Sequence, residues 1–208
     1  MLEVPGLFIK RMRSELDQGT YQEDMSGLDV RVDECHDMVF RIFSIDDAPH
    51  SIQASSTSAK VDILAKLYLE GNPAEISDTT IAQFCDWLWG EYQDLSLNLE
   101  FSWYERYNSV AEMFADIKRS HLWVSAENYD TTLGLNPIYN FIFQAIHDDD
   151  HYLTNSDFSL EGEIATYNAT AKRAPSLEIQ KILYSESVLR SAAYLFLGHA
   201  PISKIVFP

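Results

Sequence analysis

Residues 145–164 read AIHDDDHYLTNSDFSLEGEI. Three consecutive aspartates lie between two histidines, and Glu161 and Glu163 follow. On an α-helix, residues four apart share a face. His147 and His151 therefore project together, and Asp148 can join them. Asp149 and Asp150 are predicted to point elsewhere, largely to solvent. Two imidazoles and a carboxylate within one turn are a donor set that zinc accepts, and histidine pairs at this spacing recur in zinc sites. A fourth ligand must come from another element. Glu163, twelve residues beyond His151, sits on the first turns of the next predicted helix. A turn of about eight residues lets two helices pack side by side, so that Glu163 faces the histidine pair. Gly162 allows close backbone approach there. The plainer reading is a solvated acidic helix end. The spaced combination of four residue types favours one divalent metal ion, zinc first and magnesium second, held by His147, Asp148, His151 and Glu163.

The elements that must position these residues read as helices. VDILAKLYLE stops at Gly71-Asn72-Pro73. Asp78 or Thr79 is a plausible N-cap for a helix whose apolar face holds Ile81, Phe84, Cys85 and Leu88. A further amphipathic helix runs through Val110, Phe114 and Ile117. Asn136-Pro137 is an N-cap followed by proline at the first helical position, with Ile138, Phe141, Ile142, Ala145 and Ile146 as its buried stripe. This helix continues into HDDDH. Ser159 caps the next, beginning at Leu160. Pro175-Ser176 opens a last long helix with Leu177, Ile182, Leu183, Val188, Leu189, Ala192 and Leu195 inward, ended by Gly198 and Pro201. Residues 35–45 fit a helix or a short strand, and residues 46–60 a loop. The pattern predicts an all-α fold: a compact multi-helix domain of about six to eight helices over residues 1–208, with the metal site between two adjacent helices.

The chain has 208 residues, 46% of them hydrophobic, enough for a core. Its net charge of −17 repels phosphate backbones and excludes nucleic acid as a simple electrostatic partner. Cys35 and Cys85 form no CxxC pattern, which points to a reducing compartment. No signal peptide or membrane span is read. A cytoplasmic location is expected, with transient hydrophobic contact at a membrane.

The run His147, Asp148, Asp149, Asp150, His151, eleven intervening residues, Glu163 is similar to the H-D-x-x-H-x11-E signature of the coenzyme Q (ubiquinone) biosynthesis protein family, the fourth component of the coenzyme Q synthesis complex. Leu153-Thr154 and Gly162 also look like that family, and the resemblance covers roughly residues 136–175. It implies an all-helical fold. It implies a divalent metal on the four matching residues and a nearby cavity for an isoprenoid tail. Its ligands would be a prenylated aromatic or a prenyl phosphate, and its partners other quinone-biosynthesis proteins. It also implies a role in organising a membrane-associated complex, or metal-dependent oxidative removal of a ring C1 carboxylate, a lyase-type activity.

Two other functions remain open. One is a non-catalytic lipid carrier or scaffold, in which the metal anchors a head group or ties helices together. The other is an HD-type metal phosphohydrolase using His121, a histidine separate from the HD doublet. The aromatic stretch FSWYERYNS, residues 101–109, reads either as cavity lining or as a helix start packed on the core. Trp87 and Trp89 cannot share one helical face, so core packing with a partly exposed edge is expected; a fully exposed Trp at a partner or lipid contact is the alternative, and a homodimer is plausible. His36-Asp37 is a second HD pair without a second histidine one turn on. Glu186 reads as lying at the rim of the core. Arg106, Lys172 and Arg173 are scarce positive charges that would hold an anion if the fold clustered them.

Overall fold

The computed structural model describes residues 59–126, 133 and 136–207, all within one compact unit, Ile52–Pro208. The segment 35–45, the His36-Asp37 pair, Cys35 and most of the loop at 46–60 lie outside the described residues.

Helix α1 (Ala59–Glu70) stops before Gly71 as read. Lys204 Nζ donates to the carbonyls of Leu69 and Gly71 at 3.0 and 2.8 Å, placing a cation on the exposed carbonyls of the helix end. Helix α2 (Asp78–Asp94) is capped by Ser77, one residue before the expected position, whose Oγ accepts from Thr80 N. Phe84, Leu88 and Trp89 are buried. Trp87 is half-buried; it stacks on Phe84 and donates its Nε1–H to the Arg173 carbonyl at 3.1 Å. The pair is core packing with a partly exposed edge, Trp89 inside and Trp87 at the margin.

The architecture is mainly helical rather than all-α. Strands β1 (Asn98–Ser102) and β2 (His121–Ser125) pair in parallel, Asn98 opposite His121 and Ser102 opposite Ser125. Helix α3 (Val110–Ile117) makes the crossover between them. A five-residue strand shows few alternations, and its parallel partner lies more than twenty residues away. Local periodicity therefore cannot distinguish it from loop or helix. FSWYERYNS is accordingly no helix start: its first residues end β1, and the rest is the loop to α3, with Trp103 and Tyr104 exposed.

Helix α4 (Pro137–Thr154) begins at the expected cap, Asn136 Oδ1 accepting from Ile138 N. Its Ala145 joins a core formed by Leu99, Leu122 and Val124 of the strands with Met113 and Ile117 of α3. Helix α5 (Leu160–Ala171) follows, packed beside α4. The last helical run is α6 (Leu177–Tyr184), a π turn at Ser185–Leu189, and α7 (Arg190–Leu197), ended by Gly198 at φ +76°. Leu177 is not a core residue. It is 67% exposed at the first position after the Ser176 cap, and Ile179 is buried instead. The π turn widens the coil by one residue per turn, and Ser185, Ser187, Val188 and Leu189 are all buried there. Glu186, read as a rim residue, is half-buried and pairs with Arg190 at 2.9 Å. Among the described residues no helix is long and apolar enough to cross a membrane.

Candidate metal centre

The centre is built around one chain reversal. At the end of α4, Asn155 adopts the left-handed conformation (φ 50°). Ser156 N donates back to His151 O at 3.0 Å and Asn155 N to Tyr152 O at 3.1 Å. These are the paired bonds of a Schellman cap, and asparagine is the usual alternative to glycine at its left-handed position. Two residues on, Asp157 Oδ1 accepts from the backbone N–H and the hydroxyl of Ser159. Ser159 Oγ in turn accepts from Gly162 N and starts α5 at the expected residue. Gly162 is jammed against the loop: a Cβ there would lie 1.8 Å from the Asp157 carbonyl oxygen. Each of these contacts is local in sequence, and together they return the chain so that Glu163 faces α4.

Three of the four residues expected to bind metal meet. His147, His151 and Glu163 offer donor atoms all within 4.8 Å of one another. The two Nε2 atoms are 3.1 Å apart. His147 Nε2 is 3.3 Å from Glu163 Oε2, and His151 Nε2 is 3.7 Å from Oε1. A tetrahedral zinc with metal–nitrogen bonds of about 2.05 Å places its donors about 3.3 Å apart. The Nε2 pair and the His147–Oε2 contact match such ligand edges, while His151 meets the other carboxylate oxygen at 3.7 Å. His151 Nδ1 donates to the Ser156 carbonyl at 3.1 Å. The carbonyl can only accept, so in the neutral ring the proton is on Nδ1 and the lone pair is on Nε2, aimed at the other two donors. Glu163 Oε2 is buried, with His147 Nε2 at 3.3 Å as its close polar neighbour. A divalent cation among the three side chains would take this oxygen together with the imidazole lone pairs.

Asp148, the fourth expected ligand, is outside this group. It is half-buried on the next position of α4. Burial, with the carboxylates of Glu105, Glu163 and Asp149 nearby, pushes it up to about 7 against the pull of His147. Glu163 behaves oppositely. Burial works against its charge, but His147 and His151 more than offset this and bring it down to about 2. Burial alone would lower His147; Glu163, with Asp148 and Asp150 behind it, holds it above its ordinary value. Aromatic rings flank the donors. Phe143 stacks on His147, and the half-exposed Phe158 meets His151 edge-on at 4.6 Å.

Asp150 does not face solvent. It is 2% exposed, and its carboxylate accepts from Arg173 and from the Thr170 hydroxyl. Residue spacing puts Asp150 off the histidine face but cannot reveal that α5 covers that side too. The scarce cations do not cluster. Arg173 serves Asp150 and Glu91, while Arg106 lies over the Trp123 ring at 4.6 Å.

His121 belongs to a different group. Its Nδ1 donates to Asp116 at 2.6 Å, and Asp116 also accepts from Tyr107 at 2.7 Å and Arg119 at 2.8 Å. Burial opposes the Asp116 charge, and these three donors outweigh it, so the carboxyl is held below its usual range. A depressed carboxyl contributes stability that is present above its unfolded value, near 3.8, and lost as pH falls through the lower folded value. The urea midpoint should therefore drop on acidification below about pH 4 in the wild type. It should drop less over the same range in Asp116→Asn; equal acid slopes would contradict this assignment.

Comparison of the chain with models of known protein families, with curated proteins and with solved structures finds no match.

Proposed function

We propose that this protein is a metalloprotein that holds one divalent ion, zinc in first place, between α4 and α5 through His147, His151 and Glu163. The observation that carries the reading is the convergence of three donors with the His151 lone pair already aimed by the Ser156 carbonyl. Two nitrogens and one oxygen suit zinc or another imidazole-binding transition metal better than magnesium, which takes oxygen. When bound, such an ion supplies Lewis-acid polarisation of an oxygen-bearing group at its remaining position. The protein's part is to present neutral imidazoles, to balance charge with Glu163, and to keep water from the apolar side with Phe143 and Phe158.

Three protein ligands with a fourth position left over is the pattern of reactive zinc sites, whereas structural sites are closed by four. Asp148 stands one residue away on α4, half-buried at the edge of the centre, where a carboxyl can accept or return a proton. The resemblance of the HDDDH–Glu163 spacing to the coenzyme Q biosynthesis signature supplies the ligand class: a prenylated aromatic or prenyl phosphate whose head group meets the ion. On this reading the chemistry is metal-assisted, of the decarboxylase type.

A second reading has its own observation. His151 is fully buried and Glu163 only 4% exposed, so access is confined to the His147 side. This favours an ion that ties two helices together in a lipid carrier or scaffold.

Elemental mass spectrometry of untagged protein should find about one divalent ion per chain; none, even after soaking with zinc, would remove the metal-centre reading. Solvent extraction of the same preparation should release a prenylated compound, and its absence would remove the isoprenoid part alone. Cobalt substitution separates the two readings. A visible spectrum that shifts with azide marks an exchangeable position, and one that does not marks a closed tie.

A further inference from the structure

Asp150 and His151 are neighbours on α4, and their side chains leave the helix about 100° apart. One enters the centre and the other is clamped. Asp150 Oδ1 accepts from Arg173 Nη1 at 3.0 Å and Oδ2 from Nη2 at 2.7 Å, a two-pronged contact that fixes direction as well as distance. Thr170 of α5 donates to Oδ2 as well. The same guanidinium reaches Glu91 on α2 through Nε and the Ala169 carbonyl on α5 at 3.2 Å. Trp87 of α2 holds the Arg173 carbonyl. One side chain just past the end of α5 therefore ties α2, α4 and α5 at a single point.

We infer that Arg173 is a positioning residue for the centre: by gripping Asp150 it sets the rotation of α4 about its own axis, and so the place of His147 and His151 relative to Glu163. This rests on the metal-centre reading. Arg173 lies ten residues beyond Glu163, about 15 Å along the chain at helical rise. The α4–α5 pair is thus held by the reversal at Asn155–Ser159 and again by this clamp, whose anchor on α4, Asp150, stands between His147 and His151. Ligand atoms on a helix lie about 5–6 Å from its axis, so a 20° rotation moves them by about 2 Å. A preformed site tolerates about 0.5 Å. Arg173 is itself 37% exposed, and a contact at such a surface adds little stability as an ion pair. The buried, doubly bonded Asp150 is what makes the geometry matter.

The test measures zinc affinity by chelator competition, and the visible spectrum of the cobalt-saturated protein, in wild type, Arg173→Ala, Arg173→Lys and Asp150→Asn. Urea midpoints are taken on the same samples. Arg173→Ala and Arg173→Lys are both expected to weaken zinc by about 10- to 100-fold, the range seen for groups that orient ligands. Both should change the cobalt band at saturation, because lysine keeps the charge and loses the fork. Affinity within twofold of wild type and an unchanged cobalt spectrum in folded variants would overturn the inference, whatever happens to the midpoint. Full rescue by lysine would overturn it too. If Arg173→Ala does not fold, Arg173→Lys and Asp150→Asn decide. Wild type that binds no metal defeats the centre itself, a result distinct from variants that bind like wild type.

Discussion

Glu163→Gln is expected to cost the protein its metal while leaving its helices in place. The substitution keeps the shape of the side chain and removes the one carboxylate that meets both Nε2 atoms. Loss of a group that merely orients a ligand costs 10- to 100-fold in metal affinity. Loss of a ligand should exceed about 100-fold on the same scale. The readout is thermal or urea unfolding with and without zinc. At zinc a thousandfold above the wild-type dissociation constant, the ion should add about 4 kcal/mol to wild-type stability. That increment should fall to about 1.4 kcal/mol or less in Glu163→Gln and in His151→Ala. Asp148→Asn should retain most of it, because Asp148 stands outside the converging group. An Asp148 variant that behaves like Glu163→Gln would show that the loaded site recruits a fourth protein ligand, as the family resemblance implies. A Glu163→Gln protein that keeps the full zinc increment would leave the convergence of the three side chains without a metal role.

Gly162→Ala is the second large effect. The added methyl would sit 1.8 Å from the Asp157 carbonyl oxygen and 2.8 Å from its carbon, both backbone atoms in a loop braced by two caps. Neither can swing aside as a flexible side chain would, so α5 must shift as a body or the reversal must open. Overpacking of this kind costs about 1–3 kcal/mol, and the absence of any yielding neighbour puts the expected value near 3. Since Glu163 is the next residue, zinc affinity should fall with stability. An unchanged urea midpoint would mean that the close approach at Asp157 is not maintained in solution. The contrast with Gly90 is a useful control. A Cβ there meets nothing within 4 Å, so Gly90→Ala on α2 should stabilise slightly, by about 0.5–1 kcal/mol.

The helical run from Asn136 to Ala171 is legible residue by residue because its instructions are local. Asn136-Pro137 and Ser159 are caps, and His147 and His151 share a face by helix period alone. The apposition of Glu163 to the histidine pair could be read for the same reason: a short turn, expected at about eight residues and five as observed (Asn155–Ser159), leaves two adjacent helices little choice but to pack side by side. The β1–β2 pair could not be read this way. Its hydrogen bonds join segments separated by a whole helix, and five residues carry too little alternation to announce a strand. Leu177 reads as core in sequence because an apolar residue at a helix start and one in the core have the same side chain, and only the direction of entry after Ser176 separates them. For the site itself, spacing alone brought His147, His151 and Glu163 together, and also put Asp148 among them. The tertiary structure alone decided three things. Asp148 stays outside the converging group, because Glu163 of α5 meets α4 at His147 and His151. The Ser156 carbonyl reaches back to fix the tautomer of His151, because the chain reverses there in a left-handed turn. Asp150 is buried rather than solvated, because α5 covers the adjacent face of α4 and carries Arg173 to meet it.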